Sequence, residues 1–134
     1  MAVHAYLASA WRKAKCVWWW DAAAWQKAKV VSWWNGSSWV EVFRAPDMTN
    51  DLVGATDSAT NPANIVFTWT PIGQQYGATI ELFQNGIGFG AVDAEANLGT
   101  ITLNAVDPTA TWTAEVRDGN GDLTRTRTAT ITGP

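Results

Sequence analysis

Apolar and polar residues alternate in short runs along the chain, and in the first third this pattern repeats. Residues 11–24 (WRKAKCVWWWDAAA) and 25–38 (WQKAKVVSWWNGSS) are identical at seven of 14 positions, and a further unit begins at Trp39 and stops. A period of 14 residues is too short for a helical repeat. We therefore predict that each unit is a strand of about ten residues followed by a turn of about four.

The composition of the repeat favours strands over helices. A helix over residues 10–31 is the competing interpretation, because segments such as AWRKAK contain good helix formers. Against it stand a run of three tryptophans, a Val-Val pair and an Asn-Gly dipeptide, which is typical of tight turns between strands. The chain opens with a partial copy in which Tyr6 takes the place of Trp20.

Both faces of the predicted strands carry tryptophan. Within residues 11–20, Trp11 and Trp19 share one face, whereas Trp18 and Trp20 share the other. A half-buried strand should separate polar from apolar residues, so a free meander would leave these rings in water. We therefore hypothesise that other chains complete this segment, most simply copies of itself around a shared axis. The predicted assembly residues are these tryptophans, with lysines that would pair with rings or with acidic surfaces of neighbouring subunits: Trp11, Trp18, Trp19, Trp20, Trp25, Trp33, Trp34, Trp39, Lys13, Lys15, Lys27 and Lys29.

From about residue 48 onward, short alternating runs between turn signals predict a second unit. The predicted strands cover residues 65–69, 78–83, 99–106, 111–117 and 124–131. Strands of this length and spacing are typical of an immunoglobulin-like β-sandwich. Gly86, Gly88 and Gly90 indicate a hairpin or an edge strand. By alternation, the residues predicted to face inward are Ile65, Phe67, Trp69, Ile80, Leu82, Ile101, Leu103, Trp112, Ala114 and Val116.

Composition and charge divide the chain at the same place. Residues 1–45 hold eight of the ten tryptophans and a net charge of +4, whereas residues 46–134 carry −7. Pro46 would end a strand at this junction. We predict an all-β chain with a Trp-rich β-repeat assembly module (1–45) and an immunoglobulin/fibronectin III-like β-sandwich (46–134). The aromatic content excludes a disordered chain, and no apolar run approaches the length of a membrane helix.

The sequence contains little that could support catalysis. The single histidine, His4, argues against a histidine-dependent active site, and the single cysteine, Cys16, allows no internal disulfide and no Cys-based metal site. We expect Cys16 to be a small core residue. Asp118, Asn120 and Asp122 have the spacing of a calcium loop, but the expected glycine and the final Glu are missing, so we interpret the segment as a hairpin turn. We predict that the protein is not an enzyme and uses no cofactor or metal.

The pattern W-x-K-A-K-x-V-x-W-W, followed by an Asp or Asn turn, resembles short Trp-rich repeats in minor tail and tail-tip proteins of bacteriophages. The resemblance covers about a third of the chain. In those proteins such repeats often precede an immunoglobulin-like or fibronectin-like module, which agrees with the second unit predicted above. The choline-binding repeats of cell-wall proteins are less similar, because they are about twenty residues long and lack the Lys-Ala-Lys core.

Two stretches of the second unit resemble a fibronectin type III domain. Residues 66–71 (VFTWTP) are similar to its second strand, with the core tryptophan and the following proline. Residues 103–116 (LNAVDPTATWTAEV) match by spacing the Leu, Pro, Tyr and Val of the family's corner. Trp112 stands where the family has tyrosine, and an indole N–H does not reproduce the geometry of a phenol. The resemblance therefore implies a fibronectin-like or more generic immunoglobulin-like fold with a remodelled corner.

Together, the resemblances and the composition imply a structural role. We expect a non-enzymatic virion component of a bacteriophage tail or tail tip, in which the repeat oligomerises or attaches and the acidic unit projects outward. Its expected partners are copies of itself, with a trimer preferred, and other virion proteins, without a membrane. A capsid decoration protein and a carbohydrate-binding adhesin for a bacterial surface glycan are the alternatives. Nucleic acid is less favoured, because residues repeated at a fixed period usually serve packing.

Overall fold

The chain is built from β-strands. A computed structural model describes residues 4–7, 10–13, 15–96 and 98–134, with side chains described in the last two ranges. The described strands make up 57% of the chain, and none of the described residues lies in a helix. The prediction of an all-β protein is confirmed. The competing helix over residues 10–31 is wrong in the described part of that range, where short strands alternate with turns and bends.

The described segments within residues 4–44 form three antiparallel hairpins. Their strands are β1 (His4–Leu7), β2 (Ala10–Lys13), β3 (Trp18–Trp20), β4 (Trp25–Lys27), β5 (Val30–Trp34) and β6 (Trp39–Arg44). The strands pair two by two, β1 with β2, β3 with β4, and β5 with β6. The predicted turns at residues 21–24 and 35–38 are confirmed, since each joins the two strands of one hairpin.

The strands of the repeat are shorter than predicted, because each repeat divides between two hairpins. The prediction of one continuous strand over residues 25–34 is wrong, since Ala28 and Lys29 separate β4 from β5. The N–H of Ala28 donates to the carbonyl of Val17 in the preceding repeat at 2.8 Å, whereas the carbonyl of Lys29 accepts from the N–H of Ala45 at 2.8 Å. Consecutive residues thus bond to opposite neighbours, and two short strands replace one long strand.

Beyond the hairpins, the described residues form a large mixed sheet of seven strands and a small sheet of two. The strands are β7 (Asp47–Met48), β8 (Leu52–Thr56), β9 (Ala63–Thr68), β10 (Pro71–Ile72), β11 (Thr79–Gln84), β12 (Ile87–Asp93), β13 (Thr100–Val106), β14 (Trp112–Arg117) and β15 (Leu123–Thr132). The large sheet has the order β12-β11-β14-β15-β8-β9-β13, and β7 pairs with β10. All five predicted strands are present with shifted ends, and the glycine-rich β12 lies at an edge, as predicted.

The last strand connects two groups of strands. Residues 123–128 of β15 pair antiparallel with β14, and residues 129–132 then pair in parallel with β8. The parallel pair makes the sheet mixed. It also joins β8, β9 and β13 to β11, β12 and β14.

One hydrophobic core collects side chains from both groups. Phe67 of β9 and Trp112 of β14 contact each other with ring centroids 5.3 Å apart. Eight of the ten residues predicted to face inward are buried. The other two, Ile101 and Leu103, are half-buried because β13 is an edge strand. The core consists of Met48, Leu52, Ile65, Phe67, Trp69, Ala78, Ile80, Leu82, Ala94, Val106, Trp112, Ala114 and Val116.

The indole nitrogen of Trp112 has a hydrogen-bond partner inside this core. Its ring is buried, and its Nε1–H donates to the carbonyl oxygen of Asp107 at 3.0 Å. A corner tyrosine would use its hydroxyl to bond to the backbone a few residues upstream. Here the indole N–H of Trp112 makes the bond to the upstream backbone that the hydroxyl of a tyrosine would make.

Candidate interaction surface on the tryptophan hairpins

The two described turns of the repeat are built in the same way. In each, the first side chain accepts hydrogen bonds from the backbone N–H groups two and three residues later, at 2.9 and 2.8 Å for Asp21 and at 2.9 and 2.9 Å for Asn35. These backbone bonds, together with one from Gln26, lower the pKa of Asp21. The second residue has a positive φ, 73° at Ala22 and 101° at Gly36. A short polar side chain therefore fixes each turn.

A tryptophan pair flanks each of these turns. The ring centroids of Trp20 and Trp25 are 5.6 Å apart at 60°, and those of Trp34 and Trp39 are 5.7 Å apart at 61°. Both pairs are edge-to-face, an arrangement that aromatic rings favour because the positive edge of one approaches the negative face of the other. Cross-strand pairs of this kind contribute about 0.2–1 kcal/mol each to a two-stranded sheet.

The first hairpin repeats this register in its backbone. Tyr6 lies opposite Trp11, the two positions that correspond in the repeat to Trp20 and Trp25 of the second hairpin, and Leu7 lies opposite Ala10 one position further. The side chains of Trp11 and Lys13, two of the predicted assembly residues, lie outside the described residues. Their backbones belong to β2.

Each hairpin has two different faces, because residues opposite each other in register lie on the same side of a sheet. We call the side with the edge-to-face tryptophan pair the paired face, and the other side the opposite face. In the β3–β4 hairpin, Trp18 lies opposite Lys27 on the paired face. Trp19 lies opposite Gln26 on the opposite face. Tryptophan is therefore present on both faces, as the alternation predicted.

The β5–β6 hairpin follows the same plan with different side chains. Ser32 lies opposite Glu41 on the paired face, at the positions that Trp18 and Lys27 occupy in the β3–β4 hairpin. Trp33 lies on the opposite face. The carboxylate of Glu41 pairs with the guanidinium of Arg44, which lowers the pKa of Glu41. The charged groups of this hairpin are thus paired with each other.

The tryptophans of the two described hairpins are exposed. Their exposed fractions range from 45% at Trp18 to 72% at Trp39, whereas Trp69 and Trp112 are buried in the core. The fold brings the predicted rings together in one segment, and the described rest of the chain leaves them largely uncovered. The exposed set is Trp18, Trp19, Trp20, Trp25, Trp33, Trp34 and Trp39.

Lys27 joins the β3–β4 hairpin to the turn between β14 and β15. Its Nζ lies 2.6 Å from Oδ2 of the buried Asp118, also pairs with the carboxylate of Asp122, and lies 5.2 Å from the centroid of the Trp18 ring. Burial alone would lower the pKa of Lys27, but the two carboxylates outweigh it and raise that pKa above its ordinary value. The ammonium therefore stays charged in a half-buried position.

Further contacts hold the same junction. The Sγ of Cys16 accepts hydrogen bonds from Nδ2 of Asn120 at 3.0 Å and from Nε1 of Trp18 at 3.1 Å. The stem of Lys15 packs over Gly119 so closely that an added Cβ there would lie 2.7 Å from the Cβ of Lys15. Cys16 is half-buried at this junction and lies outside the hydrophobic core, contrary to the prediction.

Residues 118–122 form the predicted hairpin turn between two antiparallel strands. The Oδ1 of Asp118 accepts hydrogen bonds from the N–H groups of Asn120 at 2.9 Å and Asp122 at 3.1 Å. Its other oxygen faces Lys27. Among the described residues, no group of three His, Cys, Asp or Glu side chains is placed to hold a metal ion.

The sequence could not predict the contact between Lys27 and Asp118, because the two residues are 91 positions apart. The one signal for it is the opposite net charge of the two predicted units. Lys15 and Lys29, which were predicted together with Lys27, form no ion pair within the part of the chain whose side chains are described. The three lysines therefore differ in their structural roles.

Comparison with known proteins gives no family assignment, since no family model and no curated protein matches the chain. In the ranges that the structure describes, no helix has the length and apolar character needed to cross a membrane.

Proposed function

We propose that the chain is a non-enzymatic structural component of a bacteriophage virion, on the tail or tail tip, whose tryptophan hairpins bind neighbouring chains. The observation that carries the proposal is the exposure of seven tryptophans on β3–β6. The similarity of the repeat to Trp-rich repeats of phage tail proteins provides the biological setting.

The exposed rings form too large an apolar area for a surface that stays in water. Their exposed fractions add up to about four fully exposed tryptophans, or roughly 600–1,000 Å² at ~150–250 Å² per ring. Monomeric proteins rarely expose apolar patches larger than a few hundred Å². A stable interface buries about 800 Å² per partner. Summed over both faces of the hairpins, the exposed rings therefore match the area that one protein–protein interface buries per partner.

Copies of the same chain are the simplest partners, with a trimer preferred, and other virion proteins are the further partners. The repeat presents the same aromatic pair at intervals of 14 residues, so one kind of contact can recur along an interface. Burial of all seven rings would contribute roughly 15–25 kcal/mol at ~25 cal/mol/Å², before the costs of association and side-chain ordering.

Residues 46–134 are proposed to form a fibronectin III-like or immunoglobulin-like sandwich that projects from the attached hairpins in residues 1–45. Three observations support this fold: the two strand groups joined by β15, their shared core, and the bond from Trp112 to Asp107. The net charge of −7 on this region favours a solvated surface.

The same exposed rings favour a second candidate, a carbohydrate-binding adhesin for a bacterial envelope. Each edge-to-face pair leaves indole surface open, with Trp25 at 63% and Trp39 at 72% exposed. Such surfaces can stack on sugar rings. A glycan ligand would bind the isolated chain, whereas an assembly surface would hide its rings against protein.

Labelling of purified particles tests the virion role. Antibodies against the full chain would be applied to particles of the encoding phage and located by electron microscopy. We expect label at the tail or tail tip. Label on the capsid surface would indicate a decoration protein instead, and unlabelled particles that contain no copy of the chain would refute the proposal.

Light scattering and tryptophan emission, recorded on one sample of the purified full-length chain, test the role of the rings. We expect a multiple of the monomer mass and blue-shifted emission, because assembled rings leave water. A monomer with red-shifted emission that binds cell-wall glycan would favour the adhesin.

A further inference from the structure

The paired faces are chemically complementary to themselves. In each described pair one indole directs its edge toward the face of the other, with centroids 5.6 or 5.7 Å apart. Each pair therefore offers both the edge and the face of an indole to a neighbour. A second pair of the same kind can continue this edge-to-face arrangement.

Within the described strands β3–β6, each charged side chain on the paired faces has a partner of opposite charge. The ammonium of Lys27 is matched by Asp118 and Asp122, and the carboxylate of Glu41 is matched by Arg44. Neither the ammonium of Lys27 nor the carboxylate of Glu41 is left unpaired to repel the same group of a second copy. An acidic or phosphorylated partner would find no free cation there. The two lysines without ion pairs in the described structure lie outside these strands.

We infer that the paired faces of the β3–β4 and β5–β6 hairpins bind the same faces in further copies of this chain. The inference rests on the proposed assembly role and adds which face is buried and what covers it. The five rings on these faces expose the area of about three whole tryptophans, or roughly 400–700 Å² per copy. Only the two faces taken together reach the lower range of a stable interface, about 600 Å² per partner, so the inference requires both hairpins to contribute to the contact.

Two double variants of the full-length chain separate the faces. Trp25→Ser with Trp39→Ser removes one ring from each pair, 63% and 72% exposed. Trp19→Ser with Trp33→Ser removes two rings from the opposite faces, 53% and 54% exposed. We expect the first variant to raise the apparent dissociation constant about 100-fold or more in sedimentation velocity, because buried tryptophans dominate interface energies. The second should change it less than about threefold.

A charge variant tests the same face with every ring in place. Ser32→Lys puts a cation on the paired face opposite Glu41, which supports the hairpin through a cross-strand charge pair. Gln26→Lys puts the same charge on the opposite face, where Asp21 already accepts a hydrogen bond from Gln26 at 2.9 Å. We expect Ser32→Lys to weaken assembly about tenfold or more, since it buries an added charge. Gln26→Lys should leave assembly unchanged.

The outcomes distinguish this inference from the proposed function. Equal losses in the two double variants, or a loss in Gln26→Lys, would overturn the face assignment and leave the assembly role standing. Suppose that the wild-type chain stays monomeric at every concentration, yet antibodies detect it on phage particles. This result would overturn self-association and indicate another virion protein as the partner. Unlabelled particles would refute the proposed function itself.

Discussion

The Lys27→Met substitution removes the charge that joins the β3–β4 hairpin to the turn at residues 118–122 and keeps a long side chain. In the native chain this ammonium lies 2.6 Å from Asp118, also pairs with Asp122, and lies over the Trp18 ring. The side chain of Lys27 is 26% exposed and that of Asp118 is 4% exposed. The variant therefore leaves a buried carboxylate without its counter-charge.

We expect the free energy of unfolding to fall by about 2–3 kcal/mol. A hydrogen bond to a charged group contributes about 1.5–3 kcal/mol, and an exposed cation–π contact about 0.5–1 kcal/mol. The loss stays within this range for two reasons. Asp118 keeps its hydrogen bonds to the N–H groups of Asn120 and Asp122, and the variant no longer desolvates an ammonium.

Urea unfolding of the full-length chain measures this effect, with Lys29→Met as the matched control. Lys29 has no ion pair in the described structure, so its replacement should change the unfolding free energy by less than about 0.5 kcal/mol. A double-mutant cycle of Lys27→Met with Asp118→Asn should give a coupling of about 1–2 kcal/mol. Equal effects of the two lysine variants, or a coupling near zero, would refute this account of the junction.

The stability difference between wild type and Lys27→Met depends on pH in a defined direction. Because the folded pKa of Lys27 is raised, its contribution is fully present below the ordinary lysine value of 10.5 and is lost as pH rises through the folded value. The stability difference between wild type and Lys27→Met should therefore persist at neutral pH and shrink above about pH 10.5. A difference already absent at pH 9 would contradict the assigned ion pairs.

Three further substitutions test other parts of the fold. Ala22→Gly should stabilise the first described turn by about 1 kcal/mol, because the left-handed φ of 73° at Ala22 is unfavourable for alanine and the equivalent residue in the next turn is Gly36. Slower amide exchange in β3–β4 would show this stabilisation, and unchanged exchange would argue against strain at Ala22. Burial alone would raise the pKa of Asp47, but the hydrogen bonds from Arg125 and from the N–H of Met48, together with the charges of Arg125 and Arg127, outweigh it and lower that pKa. The stabilisation from Asp47 is therefore present above pH 3.8 and lost as pH falls further. Asp47→Asn should remove this loss from the urea midpoints, and a persistent loss would point to other carboxylates. Gly54→Ala places a Cβ within 2.6–2.9 Å of three side chains of the core, so the free energy of unfolding should fall by about 1–3 kcal/mol. An unchanged thermal midpoint would show that these side chains move aside without cost.

The sequence was most informative where one side of a strand is buried. Ile65, Phe67, Ile80 and Leu82 occupy alternate positions of β9 and β11, and all four are buried as predicted. A shift by one residue would place every such side chain in water, so alternation specifies these strands strongly. By contrast, β8 was not predicted. Its inward position 54 is a glycine, because any side chain there would collide with the core, so the strand lacks the apolar residue that alternation would need at that position.

The division of the repeat could not be predicted, because strand propensity does not specify a strand's partner. Trp25 and Val31 have similar strand preferences, yet β4 pairs backward and β5 pairs forward. Only the hydrogen bonds of Ala28 and Lys29 show where the pairing changes. The two turns could be predicted, because residues 35–38 begin with an Asn-Gly dipeptide and residues 21–24 take the same place in the repeat.

The parallel pairing of β8 with the end of β15 has a mechanical consequence. Residues 52–55 and 129–132 run side by side in the same direction, and one stretch lies near the hairpins in sequence while the other follows β14. Tension between the hairpins and the far end of β15 would slide these strands along each other and load all their hydrogen bonds at once. An antiparallel pair pulled from one end would open one bond at a time. The arrangement therefore gives the region resistance to stretching between the end of β8 that lies nearer the hairpins in sequence and the C-terminal end of β15.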